Sequence, residues 1–458
     1  MDENKKTLIF VSVAVVLAVL ALLAAPRRIT PDAFLDQGEP FYPEFTDPNE
    51  AITLEVINFD TTTGSARPFK VTFKNGRWTI PSHHDYPADA KDRLAKTAAG
   101  IIDIKKDDFR SDNVSDHEAC GVIDPLDETA GLTGRGQRVT VKGANDKVLA
   151  DLIIGKPVEG REKMRFVRVP DQKRVYAARI DVDISTKFSD WIETDLLKVE
   201  KSKIDQVILK DYSINERTLT VEQRDNLVLN LRDGVWKANK MRSNQQVDSV
   251  KMKQLLTTLD ELEIVGVRPK PKGLSASLKK TEQGQTISQA DMLSLQAKGF
   301  YLTRDGQLMS NEGELQVHTT EGINYTLRFG EVVYGSGLAV SAGVEKEGEQ
   351  EKGSTAQNRY LFITTSFDES AFPEPKKPAN TEFLKKPDSL WTDEDRENKK
   401  LQDAYDKWQR AVEKGRQLNE DLNARFADWY YVISDDSFRK LRLNRKDLVV
   451  TKEEKKET

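Results

Sequence analysis

Two imidazoles and a carboxylate stand together at His83, His84 and Asp85, residue types whose nitrogen and oxygen lone pairs bind divalent metals. Adjacent side chains cannot easily converge on one ion, and no third ligand follows at a helix or hairpin spacing. The segment, flanked by Pro81 and Pro87, therefore reads as a loop rather than a metal site. His117 precedes Cys120 by three residues, a spacing at which a base could draw a proton from a thiol. The alternative is a small residue buried at a turn, because Gly121 follows at once. Gly134-Arg135-Gly136 has the glycines of a phosphate cradle but leads into a β-run instead of a helix, so it reads as a turn. Asp435 and Asp436 could form an acid–base pair; beside Ser434 and Ser437 they also suit a turn or a helix cap. Trp78, Trp236 and Tyr430 offer sugar-stacking faces or core packing. Each candidate has a structural reading that accounts for it, so no catalytic, cofactor-binding or metal-ligating residue is assigned and a non-enzyme is expected.

Composition narrows the classes further. The 458 residues exceed one ordinary core and suggest about two to four compact units. With 70 Lys+Arg against 75 Asp+Glu, the formal charge of -5 offers no basic field for nucleic acid. A single cysteine, Cys120, excludes an intramolecular disulfide framework.

The elements that must position these residues begin with Thr7 to Ala25, an uncharged, mostly apolar run between Lys5-Lys6 and Arg27-Arg28. As a helix it spans about 28 Å, close to the roughly 30 Å hydrocarbon core of a bilayer. Leu22 and Pro26 make a poor cleavage site after Ala24, so residues 8–25 are expected to be an uncleaved signal anchor. Lysine and arginine counts tie across the span, and the short leading tail favours an N-in orientation with the body outside the cytoplasm. Localisation at the inner, cytoplasmic membrane as a single-pass protein follows.

Residues 29–50 are rich in proline and aromatics and read as an extended tether. Next come strands at Ile52 to Ile57 and Phe69 to Phe73, a turn at Asn75-Gly76, a strand through Trp78, and a helix from Asp89 to Ile102. The order then recurs. Ile204 to Leu209 is a strand, Thr218 to Glu222 and Leu227 to Leu231 form a hairpin, and Asp233-Gly234 turns into Trp236. Val247 and Asp248 open a helix carrying Met252, Leu255, Leu256 and Leu259. Both copies continue into a second strand group, ending one strand at Gly155 and its counterpart at Gly330. The fold class is therefore α+β: an N-terminal transmembrane helix, then two repeated β-hairpin/helix/antiparallel-sheet units with a long helical insertion in the second. The divisions are 1–28 for the anchor, 29–50 for the tether, 51–200 and 201–445 for the repeats, and 446–458 for a charged tail.

Gly76-Arg77-Trp78-Thr79-Ile80-Pro81 before Ala88-Asp89, Gly121-Val122-Ile123-Asp124-Pro125, Leu152-Ile153-Ile154-Gly155 and Val175-Tyr176 before Phe188-Ser189-Asp190-Trp191 together resemble a known family. It is a bacterial domain-of-unknown-function family of membrane-anchored proteins, often encoded beside gliding-motility-type ABC transporter auxiliary proteins. The resemblance covers roughly 50 to 200 and, more loosely, 201 to 440, including Asp428-Trp429-Tyr430-Tyr431-Val432-Ile433-Ser434. It implies an extracytoplasmic, non-catalytic adaptor or accessory subunit of an envelope transport or surface-assembly system, and it carries no catalytic residues. An envelope polysaccharide or ligand-binding module is the alternative, with a hydrolase third.

The insertion, about 345–425, lies around a strand at Tyr360. Thr392 can cap a helix running to about Asn423, with Asp393, Glu394 and Asp395 in its first turn. Leu401, Ala404, Trp408, Ala411, Gly415, Leu418 and Leu422 form one apolar seam. It either folds back on the body or makes 393–423 a docking arm for a protein partner.

Overall fold

The computed structural model describes residues 10–19, 36–215, 218, 220–279, 288–303, 306–335, 340–343 and 357–452. Residues 10–19 are helical and exposed. The remainder of the expected 8–25 anchor lies outside the described residues, and among those described no helix is long and apolar enough to cross a membrane. The chain divides into two compact units, Met1–Phe69 with Asp92–Ile184 and Lys70–Lys91 with Ser185–Thr458. Both are mixtures of helices and antiparallel sheet.

The first sheet is built from β1 (Thr53–Asp60), β2 (Ser65–Lys74), β3 (Arg77–Ile80), β4 (Tyr86–Pro87), β5 (Asp108–Ser111), β6 (Gln137–Lys142), β7 (Val148–Pro157), β8 (Met164–Arg168) and β9 (Val175–Arg179). Its order is β4-β3-β2-β1-β6-β7-β8-β9-β5, and the unit division falls inside β2. Val56 opposes Val139 and Leu54 opposes Val141, all buried, which fixes the register of β1 and β6 by their inward residues. Helix α1 (Lys91–Ile102) buries Leu94, Thr97, Ala98 and Ile101, three and four apart. A short helix, α2 (His117–Cys120), ends at Gly121 in the left-handed region. Phe41 and Phe45 of the proline-rich segment are buried, and Phe41 N donates to Ile104 O at 3.3 Å.

The second sheet contains β10 (Ile204–Asn215), β11 (Thr220–Arg232), β12 (Val235–Ala238), β14 (Gly266–Pro269), β17 (Glu314–Thr319), β18 (Ile323–Val333), β19 (Asn358–Phe367) and β20 (Trp429–Ile433). Beside it lie two-stranded pairs, β13 (Gln245–Val247) with β21 (Val449–Thr451) and β15 (Phe300–Leu302) with β16 (Leu308–Ser310). The stretch at 449–451, at the start of the expected charged tail, is thus a paired strand. Its helices are α3 (Ser249–Asp260), α4 (Lys272–Lys279), α5 (Gln289–Gln296), α6 (Asp393–Ala427), α7 (Asp435–Leu441) and α8 (Arg445–Leu448). Thr218 to Glu222 and Leu227 to Leu231, expected as a hairpin, are instead parts of β11 and its approach. The polar stretch between them stays extended, with one extra residue, Arg224, bulged out of β11 where the pairing steps from Asp211–Asp225 to Tyr212–Gln223.

The second sheet runs β12-β11-β10-β17-β18-β19-β20-β14, which matches β3-β2-β1-β6-β7-β8-β9-β5 strand for strand in chain order. Helix α1 precedes β5 as α3 precedes β14. Asn75-Gly76 (φ 54° and 79°) and Asp233-Gly234 (φ 52° and 75°) make the same left-handed two-residue turns. Trp78 then opposes Phe73, and Trp236 opposes Leu231. Both tryptophans are half-buried, not core residues as a packing role required, because each lies across a hairpin from an exposed partner.

Helix α6 begins as expected: Thr392 Oγ1 accepts from Asp395 N at 3.2 Å, and the Asp395 carboxylate accepts from Thr392 N at 3.0 Å. The apolar seam is corrected. Gly415 and Leu422 are buried, Leu401, Trp408, Ala411 and Leu418 are half-buried, and Ala404 is exposed. The covered stripe runs instead through Asp395, Asn398, Val412, Gly415, Asn419, Leu422 and Phe426. Asn398 belongs to it because its side chain accepts from Ala379 N at 2.9 Å, a role that hydropathy cannot reveal. The stripe rests on its own unit: a Cβ on Gly415 would enter the Phe367 ring, and Trp408 Nε1 donates to Phe372 O at 2.9 Å.

Candidate functional site

The loop between β3 and β4 carries His84 and Asp85 at φ 59° and 57°, a left-handed pair that folds the chain back sharply. Both imidazoles then reach one dipeptide: His83 Nε2 lies 2.9 Å from Ser341 Oγ, and His84 Nε2 donates to Ala342 O at 2.6 Å. His83 Nδ1 is 3.0 Å from Ser82 Oγ, and the ring stacks on Phe188 at 4.3 Å and 4°. Only 1% of His83 is exposed. Burial, with His84 and Arg268 nearby, pushes its pKa down to about 4.

A serine hydroxyl on an imidazole is the arrangement of a nucleophile and its base. Here the base is a poor one. A general base works best with a pKa near the operating pH, and this ring is enclosed, weakly basic and backed by a hydroxyl instead of a carboxylate. The same contacts bear on metal binding, since the two rings engage a hydroxyl and a carbonyl, and Asp85 is exposed. Among the described residues no group of three His, Cys, Asp or Glu gathers to hold a metal. Ser341 carried no signal in the sequence, being 258 residues from His83 with no motif around it.

The other candidates have structural roles. His117 Nε2 donates to Lys173 O at 2.9 Å. Cys120 packs with Val122, Ile153 and Val175; burial raises its pKa, and a hydrogen bond from Arg110 offsets part of the rise. Arg135 spends its guanidinium on the carbonyls of Asp124 (3.0 Å), Asp127 (2.6 Å), Ala130 (2.8 Å) and Gly131 (2.9 Å), closing its own loop 4.1 Å over the Phe59 ring. Asp435 and Asp436 start α7 and pair with Arg439 (2.7 Å) and Lys440 (2.5 Å) one turn on. Tyr430 is buried against Phe300 and Phe362, with its hydroxyl 3.1 Å from Ser294 Oγ. Burial pushes its pKa up to about 12.

Lys270 went unnoticed in the sequence. It is fully enclosed, its Nζ 4.0 Å from the centre of the Phe362 ring and donating to Phe426 O at 2.8 Å. Burial lowers its pKa well below the usual lysine value. Together with Ser275 Oγ on Ala427 O (3.1 Å) and the Tyr431 hydroxyl on Arg425 O (3.0 Å), it occupies the carbonyls that end α6.

A cleft of about 430 Å³ opens beside the β11 bulge at Arg224. Its floor holds Lys210, Glu314, Gln316 and Arg328, and its rim holds Gln223, Asp225, Asn226 and Gln307. Glu314 is only 4% exposed at its side chain. It accepts from Lys210 (2.7 Å), Gln316 (3.0 Å) and the Tyr212 hydroxyl (3.3 Å), with Arg328 Nε at 3.2 Å. The carboxylate accepts three hydrogen bonds and is ion-paired with Arg328, so it is engaged in holding β10, β17 and β18 together. Charged floor residues on alternate strand positions gave the sequence reading no signal, because the bulge that gathers them lies in a pairing register and not in a motif.

A family model described as a domain of unknown function, DUF4340, matches residues 78–278. No curated protein and no solved structure matches the chain.

Proposed function

We propose that this chain is a non-catalytic, extracytoplasmic adaptor or accessory subunit of an envelope transport or surface-assembly system, held at the membrane by residues 8–25. One observation carries the reading: the groups best suited to chemistry are the ones most fully engaged by their own neighbours. Glu314 is surrounded by donors, His83 is stacked and weakly basic, and Lys270 is enclosed at a helix end. Active sites leave such groups facing a substrate. The matched strand orders support two copies of one scaffold, an arrangement that presents surfaces instead of a single reaction centre. The resemblance to proteins encoded beside ABC transporter auxiliary proteins favours a membrane-embedded partner. The test is crosslinking in native membranes followed by purification of the full chain. A membrane-protein partner recovered at fixed stoichiometry supports the reading, and a chain that is recovered alone after effective crosslinking defeats it.

A further inference from the structure

We infer that the cleft beside the β11 bulge binds a sugar acid, a hydroxylated ring carrying one carboxylate. The inference is independent of the adaptor reading and stands on the charge balance and the hydrogen-bonding inventory of the cleft. The rim acids are neutralised from outside: Asp211 by Arg224 at 2.8 Å and Asp225 by Arg445 at 2.8 Å. Inside remain two cations, Lys210 and Arg328, against one carboxylate, Glu314. One positive charge is left over, and the Lys210 ammonium, bonded to Glu314 alone among the described residues, has protons to give to a second carboxylate.

The rim selects the rest of the ligand. The side-chain amides of Gln223, Asn226 and Gln307 make no hydrogen bond among the described residues and stand exposed around the opening. Each offers a donor and an acceptor in one plane, which matches vicinal hydroxyls that themselves both donate and accept. Leu308 and Met309, half-buried in the same wall, supply an apolar strip for the C–H face of a ring. The volume falls within the range of about 300–1,000 Å³ usual for small-molecule sites. A peptide would need pockets for its side chains, which this polar wall does not provide.

The test is titration calorimetry of the full chain in a detergent without a sugar headgroup, using digalacturonate and its carboxyl-reduced, neutral counterpart. Digalacturonate is expected to bind about tenfold or more tightly than the neutral disaccharide, with about tenfold loss in Lys210→Met, the value of one charge-assisted hydrogen bond. Because Lys210→Met also removes a partner of Glu314 and can unsettle the fold, Gln223→Ala and Gln307→Ala on the exposed rim are the second arm. They should weaken binding severalfold with an unchanged melting temperature. Absence of digalacturonate binding, equal binding of the neutral disaccharide, or affinity indifferent to the rim variants overturns the site. Partner capture in native membranes that persists alongside such a failure would leave the adaptor reading intact.

Discussion

At the scale of single residues, His83 couples the fold to pH. The unfolded ring takes up its proton near pH 6.5 and the folded one near pH 4, so acid favours the unfolded chain across that window. The stabilisation is complete above about pH 6.5, declines by about 1.4 kcal/mol per unit and is exhausted near pH 4, on the order of 3 kcal/mol in total. His84, Arg268, Ser82, Ser341 and Phe188 face the ring, and none is an acid that would counter the trend. Thermal melts between pH 7 and pH 4.5 should therefore fall more steeply for the native chain than for His83→Gln; equal slopes would refute the assignment. Burial also ranks the tryptophans. Trp191, fully buried with its indole donating to Ser185 O at 3.0 Å, should cost about 3–5 kcal/mol when changed to alanine, and half-buried Trp236 about 1 kcal/mol. Chemical denaturation of the two variants measures the difference. The sequence pointed to His83 and to both hairpin tryptophans, yet residue type alone could not tell which would be enclosed. Enclosure depends on Phe188 and Ser341, which are distant in the chain.

Secondary-structure elements were the most legible level, because turns and periodicities are local. Asn75-Gly76 and Asp233-Gly234 announced their hairpins, and Asp248 and Thr392 announced their helices by capping the next turn. Less legible was anything set by pairing, such as the β11 bulge and the stripe of α6 that meets β19. Gly155 and Gly330 mark equivalent irregularities in the two copies. Both stand at register shifts, between Ile154 and Pro157 and between Phe329 and Val332, where a Cβ would press on the carbonyl oxygens of Cys120 and Lys298. Gly330→Ala should destabilise by about 2 kcal/mol or more, read from the denaturant midpoint at constant slope. A neutral result would mean that the bulge relaxes freely. On α6, Gly415→Leu should lower the melting temperature of the isolated protein, because the Phe367 ring fills the space. A lowered affinity for a partner with no change in melting would return the helix to the role of a docking arm.

For the molecule as a whole, the repeated order of strands was visible as an offset of 158 to 159 residues between the two hairpin–helix segments. Membership of the compact units was not, since Lys70–Lys91 and Ser185–Lys203 group with the later strands through contacts that no local pattern encodes. The candidate cleft was invisible for the same reason: its floor comes from β10 and from the β17–β18 pair over 100 residues later, at positions that alternate like any strand. The central claim is that this architecture joins partners and performs no chemistry of its own. Its most direct measurement is crosslinking of the full chain in native membranes, in parallel for the native sequence and for Glu314→Gln and His83→Gln. The account predicts one membrane-protein partner at the same stoichiometry in all three, provided each variant still melts cooperatively. A chain recovered alone in every case would contradict it.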